Sequence, residues 1–76
     1  MDESRMEKIA FTIGRNLAKY VNSHPSEAQN WDYLDESDDI PNEDYRLIRR
    51  VCGRDTSRHM DQAYRDGFNS EFKQEK

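Results

Sequence analysis

Met6, Ile9, Ala10, Ile13, Leu17, Tyr20 and Val21 recur at steps of three and four residues. That is the period of an amphipathic helix. At 100° per residue they fall within an arc of about 120°. A helix with such a stripe must lay it against something, so the rest of the chain has to supply a cover. The supply is limited, because only 25 of the 76 residues are hydrophobic. A chain of this size only just buries enough surface to fold alone, so it makes one domain and not two.

Several classes fall away on the same grounds. A large enzyme with a deep, dry cleft does not fit in 76 residues. The longest apolar run, around Ile9–Ile13, is too short for a membrane span or a signal-peptide core. Cys52 is the single cysteine, so no disulfide can form within the chain, and a reducing compartment suits it. Charged residues reach 37% and mean hydropathy is -1.28, values that raise the question of disorder. Four Tyr, three Phe and one Trp argue for a packed core instead. The chain reads as a complete small cytoplasmic protein.

The first helix is expected over about residues 4–22, with Asp2 or Ser4 as cap and Asn22-Ser23-His24-Pro25 as its end. Pro25 can open a second, short helix over 26–34, with Ser26 and Gln29 at capping-box spacing and Trp31 as anchor. Residues 35–44 form an acidic connection. Ile40 precedes Pro41, which favours extended backbone there. Asn42 can cap a third helix over 42–52, whose face holds Tyr45, Ile48, Val51 and Cys52, with Gly53 as its stop. A fourth helix over 55–73 carries Met60, Ala63, Tyr64, Gly67, Phe68 and Phe72. No alternation runs long enough for a strand. The expected fold is all-α, a single-domain bundle of three longer helices and one short one. Its expected core is Ile9, Ile13, Leu17, Tyr20, Trp31, Leu34, Ile48, Cys52, Met60, Tyr64 and Phe68. Phe11, Gly14 and Ala18 lie together off the main stripe, and because the small residues Gly14 and Ala18 at four-step spacing let another backbone come close, the three are candidates for self-association into a homodimer.

Tests for chemistry return little. Cys52 shares an apolar face, where a thiol behaves as a small hydrophobe. His24, His59 and Cys52 lie too far apart for a structural zinc site, and Asp55 with His59 reads as a surface pair. Asp35, Ser37 and Asp39 alternate like the first ligands of a calcium loop, but Ile40 stands where that loop needs Gly and Arg46 where it needs Glu. Three scattered glycines write no phosphate loop. No metal, cofactor or catalytic set is expected, and the chain reads as non-enzymatic.

Charge distribution says more. Residues 1–44 hold 11 acids and four bases, whereas residues 45–76 hold five acids and eight bases. From Asp32 to Asp44 there are seven acids and no base, flanked by Trp31, Tyr33 and Tyr45. Aromatic anchors beside fixed charge suit a protein interface. Carboxylates can also occupy arginine-lined sites built for phosphate. The expected function is therefore a protein-binding inhibitor or regulator. Its partner would be a protein with a basic, nucleic-acid-handling surface, docked through Trp31, Tyr33, Asp35, Glu36, Asp38 and Asp39. In size and charge the chain is similar to the small helical proteins that phages and mobile elements encode. The alternative is a helix-turn-helix-like regulator that contacts nucleic acid through Arg46, Arg49, Arg50, Arg54, Arg58 and Arg65. Arg49, Arg54 and His59 stand where that motif favours small or apolar residues.

Overall fold

The three long helical stripes form helices, and the short one forms only in part. The structure is a computed structural model that describes residues 3–35, 37–52 and 58–73. Helices run over Glu3–Asn22 (α1), Pro25–Ala28 (α2), Asn42–Cys52 (α3) and Arg58–Glu71 (α4). The fold is all-α, and the described residues contain no strand. None of these helices is long and apolar enough to cross a membrane.

α1 and α4 make the principal packing, and they run parallel. Ala10 clusters with Met60 and Tyr64, and one turn later Gly14 meets Tyr64 and Phe68. A turn further on, Ala18 clusters with Phe68 and Phe72, and Asn22 binds the end of α4. Parallel neighbours cannot be joined by a tight turn, so the chain has to return along the molecule between them. The described part of that crossover contains α2, a non-helical strap over residues 29–41, and α3.

The backbones of α1 and α4 approach through two glycines. A Cβ built on Gly14 would overlap the Tyr64 carbonyl, and one built on Gly67 would overlap the Phe11 carbonyl. The contact fixes the rotation of α1. Ala10, Ala18 and Val21 are fully buried, whereas Ile9, Ile13 and Leu17 are only half-buried and Tyr20 is 51% exposed. The stripe centred on the large residues is thus turned toward the rim, and the small-residue flank faces α4. Of the patch expected to serve self-association, Gly14 and Ala18 are consequently buried against α4, while Phe11 stays half-buried. Tyr20 leaves the expected core for a stack on His24, with ring centroids 4.1 Å apart. Ile48, Met60, Tyr64 and Phe68 are buried as expected, Phe72 joins them, and Trp31 and Leu34 pack half-buried against them. The Cys52 side chain lies outside what is described.

The second helix is shorter than its expected span of 26–34. Pro25 does open it, and the His24 carbonyl accepts from the amides of Glu27 and Ala28 at 2.9 and 3.0 Å. It stops at Ala28: the amides of Asn30 and Trp31 donate to the carbonyls of Glu27 and Ala28 at 2.9 and 3.2 Å, and Leu34 is then held by Asn69 on α4. α3 has the expected bounds, although the Pro41 carbonyl already accepts from the Tyr45 amide at 2.9 Å, so its bonding begins one residue before Asn42. Residues 55–57 and Gly53 lie outside the described residues. At its other end α4 stops at Glu71, two residues early, because the Asn22 side chain takes over. Asn22 Nδ2 donates to the Glu71 carbonyl at 2.8 Å, and its Oδ1 accepts from the Lys73 amide at 3.0 Å. One side chain at the end of α1 therefore satisfies groups that the end of α4 leaves open.

Candidate protein-docking site

The strap is irregular backbone with defined attachments. Asn69, on the flank of α4, holds Leu34 in both directions. The Leu34 amide donates to Asn69 Oδ1 at 2.8 Å, and Asn69 Nδ2 donates to the Leu34 carbonyl at 2.8 Å. Four residues earlier on α4, Arg65 donates through Nε and an η nitrogen to the Asp38 carbonyl at 3.2 and 3.0 Å. The aromatic residues add packing. Trp31 lies 5.5 Å from Phe68, ring to ring, and Tyr33 meets Phe72 edge-on at 5.1 Å.

Between these attachments the acidic residues build a turn. The Asp38 amide donates to the Asp35 carbonyl at 3.0 Å, and the Asp35 amide donates to the Asp38 carboxylate at 2.9 Å. The Ser37 hydroxyl and amide both donate to one oxygen of the Asp35 carboxylate. Those two bonds favour the ionised form and hold the Asp35 carboxyl below its ordinary range. Asp35 and Asp38 therefore shape the turn, Asp32 accepts from the Tyr33 amide through Oδ1 at 2.7 Å, and Asp32 and Asp39 are both exposed on the strap. Tyr33 is 48% exposed, so one face of its ring is available next to this charge. Glu36 lies outside the described residues.

The arginines expected to serve nucleic acid divide. Arg65 is committed to the strap. Arg46, Arg49 and Arg50 are exposed on α3, with the Arg49 guanidinium 5.7 Å from the centre of the Tyr45 ring. Arg54 and the Arg58 side chain lie outside the described residues, as does the Asp55–His59 pair. The exposed residues described on α4 include Gln62, Asp66 and Ser70, with Gln62 bonded to Asp66 at 2.9 Å. Among the described side chains the nucleic-acid reading thus rests on α3 alone.

Asn69, which the sequence reading passed over, and Asn22, which it took only as part of the end of α1, do much of the positioning. Asparagine is a poor helix former, so an Asn within the last turns of an otherwise well-patterned helix was the available signal. Comparison with known proteins adds no further guide: no protein family, no characterised protein and no solved structure matches the chain.

Proposed function

We propose that the chain is a non-enzymatic binding protein that lays its acidic, aromatic-flanked strap on a basic surface of another protein. Inhibition or regulation of a nucleic-acid-handling partner is the concrete form of this reading. A reducing compartment such as the cytoplasm suits its single cysteine. One observation carries the reading. The described residues of the strap form no helix or strand, yet Asn69 and Arg65 pin its backbone and the bonds between Asp35 and Asp38 hold its shape. A preformed segment loses little ordering entropy when a partner binds. It presents Asp32 next to the exposed Tyr33 ring and Asp39 further along the same segment, past the Arg65 attachment, a combination matched to arginine-rich surfaces.

The test keeps the turn, and with asparagine at position 32 it also keeps an oxygen to accept from the Tyr33 amide, while removing the exposed charge. Affinity capture from a lysate is run with the wild-type chain and with a double variant, Asp32→Asn with Asp39→Asn, and the retained proteins are identified by mass. The wild type is expected to retain a basic protein that the variant loses and that high salt releases. Equal recovery by both chains would overturn the reading.

A further inference from the structure

α3 has more apolar surface than the core uses. Of its described side chains only Ile48 is buried, and Asp44 anchors its start by accepting from the Tyr64 hydroxyl. Leu47 and Val51, one turn apart and therefore on one face, are 42% and 41% exposed. Going round the helix away from Ile48, the order is Val51, Leu47, Arg50 and Arg46, with Glu43 on the same side in the first turn. The result is a short apolar ridge edged by two arginines. Among the described residues neither Arg46 nor Arg50 forms an ion pair.

We propose that this face is covered by the strap of a second copy of the chain. The strap offers what the ridge lacks: Asp32 and Asp39 for Arg46 and Arg50, and the exposed face of Tyr33 for Leu47 and Val51. Position along the chain supports the pairing. The acidic strap is followed at once by the basic helix, joined through Ile40 and Pro41. Under a two-fold axis near that joint, the strap of each copy faces α3 of the other, so one contact is made twice and the interface closes on itself. An interface of standard size covers about 800 Å² per partner. That is about a seventh of this chain's 5692 Å² surface. The inference rests on the reading of the strap as a docking surface and names a second copy as one occupant. A basic partner would then have to displace that copy.

Complementary charge reversal tests it on purified protein, by sedimentation and light scattering at low salt. The wild type is expected to dimerise with rising concentration and to dissociate as salt rises. Arg46→Glu with Arg50→Glu, and separately Asp32→Lys with Asp39→Lys, should each weaken the dimer at least about tenfold, since like charges then face each other. Mixed one to one, the two variants should recover a dimer, because both halves of the mixed interface regain opposite charges. Leu47→Ser, which changes no charge, should weaken the wild-type dimer as well. Far-ultraviolet circular dichroism checks that each variant keeps its helices. The proposal is overturned by a wild type that stays monomeric to millimolar concentration, by reversal variants that dimerise undiminished, or by a mixture that stays monomeric. A monomeric wild type that shifts a DNA duplex at low salt, with the shift lost in Arg46→Glu with Arg50→Glu, assigns α3 to nucleic acid, which also overturns it. Lysate capture can succeed in every one of these cases, so the two readings fail separately.

Discussion

In an isolated helix, replacing Gly67 with alanine adds about 1 kcal/mol of stability. In this fold the sign should reverse. The new methyl would meet the Phe11 carbonyl, and the obstacle is backbone, which cannot turn aside as a side chain can. Overpacking of this kind costs about 1–3 kcal/mol. Gly67→Ala is therefore expected to lower the denaturation midpoint, and Gly14→Ala to do the same against Tyr64. Urea titration followed by circular dichroism measures both. A stabilised Gly67→Ala chain would mean that α1 and α4 do not approach this closely. The same pair shows why the rotation of α1 was hard to read. Glycine and alanine add little to a hydrophobic pattern, so periodicity pointed to Ile9, Ile13 and Tyr20. Close approach of two backbones favoured Ala10, Gly14 and Ala18 instead, and the large side chains became the rim.

The elements differ in how far local sequence specifies them. α1, α3 and α4 follow from apolar spacing and end signals within their own residues, and their positions were legible. The strap depends on partners far along the chain. Trp31 and Leu34 continue a three-residue spacing from Ala28, which resembles a helix, but Asn69 holds the Leu34 backbone from 35 residues away. No local pattern contains that information. The acidic character of the docking segment was legible from charge alone, whereas the division of labour between Asp35 and Asp38 in the turn and Asp32 and Asp39 at the surface needed the geometry. Asn69→Ala tests the clasp. It deletes two hydrogen bonds and leaves a partly buried amide and carbonyl without their partners, at a cost of about 1–3 kcal/mol. Trp31 should loosen from Phe68 at the same time, which its fluorescence would register as a red shift. An unchanged spectrum with unchanged stability would show that ring packing alone holds the strap.

At the scale of the molecule, parallel α1 and α4 are closed on a third side by α3, and Tyr64 is where the three meet. Its ring is fully buried in the cluster with Ala10, Ile48 and Met60, and its hydroxyl donates to the Asp44 carboxylate at the start of α3. Burial, the hydrogen bond and the negative charge of Asp44 all push the Tyr64 hydroxyl far above the ordinary tyrosine value of about 10. This has a defined consequence for stability. Below pH 10 the hydroxyl is protonated in both folded and unfolded chains, and its contribution to the fold is complete. Above pH 10 the unfolded chain releases this proton while the folded chain retains it, so unfolding is favoured progressively as pH rises. Stability measured by urea titration should therefore fall from pH 10 upward. Absorbance near 295 nm should show Tyr64 ionising only when the chain unfolds. Tyr64→Phe should remove this contribution to the alkaline slope, at the cost of leaving Asp44 to water. If all four tyrosines ionise near pH 10 with the helices intact, the Tyr64–Asp44 bond does not fasten α3 to the α1–α4 pair.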